Sequence, residues 1–258
     1  MALFETTGLR KSFGALQALD EPDVAVESGE LVGLIGPNGA GKTTFFNTVT
    51  GIEDLDEGTV RFDGREITGL PPEEIAQRGL VRTFQQTREL ETMTVLDNVR
   101  LGGRDRPGER TLPGIVNGRR TRDREAAVTE RARELIDFFD LDGMEDEYAS
   151  ALSGGQRKLL EIARALMLEP KLFMLDEPLA GVNPTLERTI VDYVERLNDD
   201  GMTFLVIEHN VELLREFVDR LVVMHQGRVL ADDDPETILQ NDAVVDAYLG
   251  ETLTGGVD

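Results

Sequence analysis

Cysteine is absent from all 258 residues. That removes any disulfide framework and any thiol nucleophile, and it suits a reducing compartment such as the cytosol. Long apolar runs are missing too: no stretch approaches the ~20 residues that cross a bilayer. The N-terminus, MALFETTGLRKSF, has no basic segment followed by an apolar one. The sequence therefore predicts a soluble, cytoplasmic chain whose role at a membrane would come through a partner. Positive charge is scarce. The 50 acids outnumber 27 bases, for a net charge of -23, and only Lys11, Lys42, Lys158 and Lys171 are lysines. Such a surface repels nucleic acid and keeps a protein dispersed where salt screens its self-repulsion. It reads as adaptation to a salt-rich cytoplasm, the alternative being an acidic docking face. The acids run along the whole chain, Asp232, Asp233 and Asp234 included, which favours solvation.

What is present begins with size: this length holds one large α/β domain or two small ones. The stretch that organises the rest is Leu31 to Thr44, LVGLIGPNGAGKTT, which reads as a strand, a turn and a helix start. Gly36 to Thr43 fits G-x-x-x-x-G-K-[ST], the phosphate-binding loop. Gly36, Gly39 and Gly41 can adopt angles a side chain would forbid, which turns successive N–H groups inward around a phosphate. Pro37, Asn38 and Ala40 fill the loop between them. A helix starting near Lys42 adds unpaired N–H groups and the positive end of its dipole. Lys42 would reach the β- and γ-phosphates, and the Thr43 hydroxyl, with Thr44 beside it, would complete a Mg²⁺ shell. The loop predicts a nucleotide ligand.

Other segments take meaning from that loop. Phe13, in a polar SFG turn, could stack on a base or belong to the core. Gln85 and Gln86 follow the strand-like LVRTF, where open α/β sheets place ligand contacts. Between Arg104 and Arg124 seven arginines reverse the sign of the rest of the chain. That stretch is either a solvated loop and helix start or a basic face toward anionic lipid or an acidic partner. Asp123 to Phe139 has helical periodicity. Ser153 is a good cap for the amphipathic run RKLLEIARALML, so the turn LSGGQ is itself a helix N-terminus. A capped buried helix explains the serine but leaves Gly154 and Gly155 without a reason. The apolar strand KLFMLD belongs to a sheet covered on both faces. It ends at Asp176, placed to hold Mg²⁺, with Glu177 one residue further toward the γ-phosphate. A last buried strand, MTFLVI, leads to Glu208, His209 and Asn210, and His209 is placed for a ligand contact. His225, in an HQG hairpin turn, reads as inert.

The ordered set GPNGAGKTT, the glutamine after LVRTF, LSGGQ, FMLDEP and the histidine after LVI resembles the nucleotide-binding subunits of ABC transporters, over essentially the whole chain. VRTFQ, EIARALM, LDEPLAGVNP, IEHN and the C-terminal AYLGE are similar to the ATP-binding subunits of branched-chain amino acid importers, of the LivG type. That resemblance implies a P-loop NTPase fold with a mostly parallel central sheet, an N-terminal antiparallel β subdomain and an inserted helical subdomain carrying LSGGQ. It implies one nucleotide-binding domain over 1–258, with 1–85 and 168–258 forming the ATPase core and 86–167 the helical subdomain. It also implies ATP and Mg²⁺, and a head-to-tail homodimer or a heterodimer with a LivF-like companion, closing Ser153, Gly154, Gly155 and Gln156 of one subunit over the other's ATP. Transmembrane permeases and an extracytoplasmic solute-binding protein complete the assembly, with this chain peripheral on the inner face of the membrane. By the same resemblance Phe13 stacks on adenine, Gln85 touches Mg²⁺ or its water, Asp176 holds the metal, Glu177 activates water and His209 contacts the γ-phosphate. Related subunits serve urea and short amides, and some ABC ATPases are soluble and do not transport. Three positions depart from the family pattern: Phe13 where Tyr is more usual, and Asn183 and Asn210 where Asp is common.

Overall fold

The computed structural model describes residues 2–83, 90–103 and 118–254. They form two compact units. The first contains Met1–Arg82, Lys171–Gly181 and Val191–Asp258; the second contains Thr83–Pro170 and Val182–Ile190. Gln85 and most of the arginine-rich stretch lie outside the described residues, while Arg122 and Arg124 are exposed on the helix Gly118–Phe138.

In chain order the first unit begins with β1 (Phe4–Phe13), β2 (Leu16–Asp20), β3 (Ala25–Val26), β4 (Leu31–Ile35), β5 (Glu57–Phe62), β6 (Arg65–Glu66) and β7 (Leu80–Arg82). It continues with β8 (Leu172–Asp176), β9 (Thr203–Ile207), β10 (Arg220–His225) and β11 (Arg228–Asp233). β2, β1, β5 and β6 pair in that order in one sheet, with β3 also on β1, and every pair is antiparallel. The other sheet runs β11-β10-β4-β9-β8-β7. It is parallel except for β11, which returns from β10 through the hairpin at Gln226 and Gly227. This is the mostly parallel sheet with an antiparallel N-terminal partner that the sequence resemblance implied.

Periodicity explains which strand went where. β4, β8 and β9 are buried at all five positions, as unbroken apolar runs require when both sheet faces are covered. β1 instead mixes buried Phe4, Thr6 and Leu9 with solvated neighbours. The helix Lys42–Val49 inserts Phe45 and Phe46 into the core that the two sheets share, where Phe4 meets Phe45 edge-on with centroids 6.4 Å apart. Side chains alternate along a strand, so Leu172 and Met174 face that core while Phe173 turns the other way and packs on Phe204, 5.9 Å between centroids.

The second unit is helical: Val95–Arg100, Gly118–Phe138 and Gly154–Leu166, with the first turns of Pro184–Asp199. Its core includes Val95, Val99, Ala132, Ile136, Leu160 and Ala163. Ser153 starts the helix Gly154–Leu166 with a capping box: its Oγ accepts the Gln156 N–H at 3.3 Å, and Gln156 Oε1 accepts the Ser153 N–H at 2.9 Å. Gly155 acquires a packing reason that sequence reasoning did not supply, because a Cβ there would overlap the Leu186 side chain; Gly154 stands open.

Candidate active site

The glycine loop sits where β4 hands over to the helix Lys42–Val49, at the carboxyl end of a central parallel strand. Open α/β sheets bind ligands at such an end. Three backbone angles hold its shape: φ is +150° at Gly36, +76° at Gly39 and +103° at Gly41. A Cβ on Gly41 would stand 2.6 Å from the Ala18 carbonyl oxygen, so loop and β2 approach too closely for any side chain. Lys42 is 6% exposed, and its Nζ donates to the Gly36 carbonyl at 2.6 Å and the Pro37 carbonyl at 3.0 Å.

Above the loop lies a cleft of about 390 Å³. It brings together Phe13, residues Asn38 through Thr44, Glu177 and His209. Phe13 is 47% exposed, which rules out a core role, and Lys11 Nζ lies 5.2 Å from its ring centroid. Leu16, Gln17, Ala18 and Gln226 also line the cleft and were not singled out from sequence. The first three arrive because β1 and β2 form a hairpin in which Phe13 pairs with Leu16. Gln226 arrives because Gly227 closes against β2: a Cβ at Gly227 would be 2.7 Å from the Ala18 oxygen. The signal in the sequence is the Gln-Gly pair itself, a tight turn with positive φ at both residues.

At the neighbouring strand ends, β8 delivers Asp176 and β9 leads to Glu208 and His209, with Asp176 in register with Ile207. Asp176 is 1% exposed. Its Oδ2 accepts from Arg82 Nη2 at 2.7 Å, and Arg82 Nη1 donates to Asn47 Oδ1, also at 2.7 Å, on the glycine-loop helix. Glu177 has a left-handed backbone, φ +50°, which turns its carboxylate into the cleft. There Glu177 Oε1 and His209 Nε2 are hydrogen-bonded at 2.9 Å. Burial pushes the Glu208 carboxyl above the ordinary carboxylate range, against hydrogen bonds from the Leu179 and His209 N–H groups that favour its charged form.

Ser153, Gly154, Gly155 and Gln156 belong to the second unit, and Gln85 lies outside the described residues. Asn183 Oδ1 accepts the Thr185 and Leu186 N–H groups at 3.1 Å each, and Asn210 Oδ1 accepts the Leu213 N–H at 3.1 Å. Both departures from the family's Asp are therefore helix caps, a task Asn and Asp perform about equally.

The family described as ABC transporter matches residues 19–180, which span the glycine loop, LSGGQ and Asp176-Glu177. The chain belongs to the ABC transporter family. A second profile, described as branched-chain amino acid ATP-binding cassette transporter, matches residues 228–253. The ABC chain is 44% identical over 250 residues to the probable branched-chain amino acid transport ATP-binding protein LivG of Archaeoglobus fulgidus, covering 97% of this chain and 96% of that one. It is 39% identical to the high-affinity branched-chain amino acid transport ATP-binding protein BraF of Pseudomonas aeruginosa, covering 96% and 98%. Among solved structures, the ADP conformation of an ABC transporter's ATP-binding cassette superposes with a TM-score of 0.82 at 36% identity, covering 97% of this ABC chain and all of the other.

Proposed function

We propose that this ABC protein is the ATP-binding and hydrolysing subunit that powers import of branched-chain or related amino acids through separate membrane subunits. The observation that carries the reading is the cleft in which the glycine loop and Lys42 face a hydrogen-bonded Glu177–His209 pair. The relatives' names support the branched-chain amino acid class over a urea or short-amide subunit and over an ATPase without a transporter. No described helix is long and apolar enough to cross a membrane, so transport requires permease subunits, on whose inner face this subunit would sit.

Positioning and electrostatics supply most of the catalysis in phosphoryl transfer. Adenine stacks on the half-exposed face of Phe13. The triphosphate enters the loop and draws Lys42 off the Gly36 and Pro37 carbonyls onto the β- and γ-phosphate oxygens. The Thr43 hydroxyl and the Asp176 carboxylate are hard oxygen donors of the kind Mg²⁺ takes alongside phosphate oxygens and water, and Gln85 would join them. An ion held by these oxygens would supply neutralisation of the phosphate charge. Glu177 accepts the proton of the attacking water, while His209 holds the Glu177 carboxylate and reaches the γ-phosphate. The Ser153 helix N-terminus of a second ABC subunit, identical or LivF-like, adds N–H donors from across the dimer, so hydrolysis waits on dimer closure.

Glu177→Gln tests the assignment. It removes the proton acceptor and leaves the phosphate contacts, so ATP binding should persist, turnover should fall by at least ~100-fold, and ATP-bound dimer should accumulate on size-exclusion chromatography in high salt. Near-normal hydrolysis would remove Glu177 from the role.

A further inference from the structure

Glu208 is 5% exposed at the end of a strand whose five residues are all buried. A buried carboxylate is costly unless its oxygens are satisfied. Here the satisfaction comes from backbone. Oε1 accepts the Leu179 N–H at 2.7 Å, and Oε2 accepts the N–H of its own neighbour His209 at 3.2 Å. Leu179 lies in the turn that starts at Glu177. That turn is further tied by the Glu177 N–H to the Ile207 carbonyl at 3.0 Å and by the Ala180 N–H to the Glu177 carbonyl at 3.2 Å. It carries a non-glycine residue at φ +50°, a conformation that persists only when its surroundings over-determine it.

We propose that Glu208 is a positioning residue that clamps the turn bearing Glu177 to the strand end bearing His209. The inference rests on the ATPase reading above. The Glu208 side chain does not line the cleft; it acts by fixing the 2.9 Å relation between Glu177 and His209. Side-chain chemistry explains the residue type. Both partners are N–H donors, so the clamp needs two acceptor atoms and no donor. A carboxylate meets that need. Glutamine offers one oxygen and sets its amide N–H groups against the second backbone donor, and threonine in this place would be too short to span the gap. The raised carboxyl affinity for protons is the mark of the desolvation that the clamp costs the fold.

The test uses the full-length chain in high salt with Glu208→Gln, Glu208→Ala, Glu177→Gln and the pair Glu208→Ala/Glu177→Gln. Steady-state kcat and KM for ATP, affinity for a fluorescent ATP analogue and thermal unfolding are measured for each. Misplacement by about 1 Å can cost on the order of 100-fold in rate, so Glu208→Ala should lose roughly 10- to 100-fold in kcat with KM and analogue affinity changed less than about twofold. Glu208→Gln, close in shape and able to keep one bond, should fall between it and the wild type. Because Glu208 works through Glu177, the paired variant should be no slower than Glu177→Gln alone. Wild-type kcat in both Glu208 variants, a loss confined to KM, or full multiplication of the two losses in the pair would each overturn the proposal. If alanine does not fold, the glutamine variant decides by the same readouts. A wild type with no ATPase activity, alone or with its permeases, would overturn the functional reading itself, and the clamp with it.

Discussion

Replacing Arg82 by alanine breaks the most completely buried ion pair that the described residues show at the site. The guanidinium and the Asp176 carboxylate keep only 6% and 2% of their side-chain surface, at a separation of 2.7 Å. At an effective dielectric of about 20, their attraction at that distance is roughly 6 kcal/mol before desolvation is counted. Truncating one partner strands the other's charge, and buried pairs broken this way cost about 3–5 kcal/mol. Asn47 Oδ1 loses a donor as well, and the guanidinium's stacking over Phe46, 5.3 Å from the centroid, disappears. A destabilisation of about 4 kcal/mol is therefore expected. The chain has no tryptophan, so urea unfolding followed by far-ultraviolet circular dichroism at fixed salt is the suitable assay. The apolar pair Arg82→Met/Asp176→Leu should recover much of the loss, since well-packed hydrophobic replacements of buried pairs are often neutral. Lys171 and Asp63 form the control. Their 2.6 Å contact is equally short but both side chains are more than half exposed, so Lys171→Ala should leave the midpoint unchanged. An Arg82→Ala cost below about 1 kcal/mol, the level of exposed pairs, would refute the claim that burial sets this pair's weight.

Two further outcomes follow from geometry. Gly41→Ala should abolish nucleotide binding by equilibrium titration while Gly39→Ala weakens it only modestly. Both need positive φ, a strain of about 1–3 kcal/mol for alanine, but only Gly41 also meets a backbone oxygen at 2.6 Å, whereas the space beside Gly39 is open. Glu195→Gln should raise the melting temperature at pH 7–8 in low salt. Partial desolvation, then Asp192 and Asp199, holds the carboxyl of the largely exposed Glu195 above the usual range. A raised carboxyl favours the fold below its unfolded value and loses that benefit as pH rises through the folded one. The gain from glutamine should therefore shrink toward pH 4 and with added salt, and a gain independent of both would count against the explanation.

What sequence reasoning reached, it reached where the physics is local. The phosphate loop, the Ser153 cap and the apolar β8 with Asp176 at its end each need only a few neighbouring residues to be recognised. Phe13 needed the hairpin that exposes it. The pairing of Arg82 with Asp176 spans 94 positions and the Glu208–Leu179 bond 29, and nothing within either segment names its partner. Gly155 looked like part of a recognition turn and proves also to be a packing position against Leu186. Gln226 entered the cleft through the closure of Gly227 on β2, a contact between segments more than 200 residues apart.

The bond from Lys42 to its own loop bears on how the loop keeps its shape. The ammonium ties the start of the glycine turn to the helix that follows it, so one side chain braces a ring otherwise built of backbone. A substitution at this position therefore removes a charge and a brace together, and a drop in thermal midpoint for Lys42→Ala would report the second loss apart from the first.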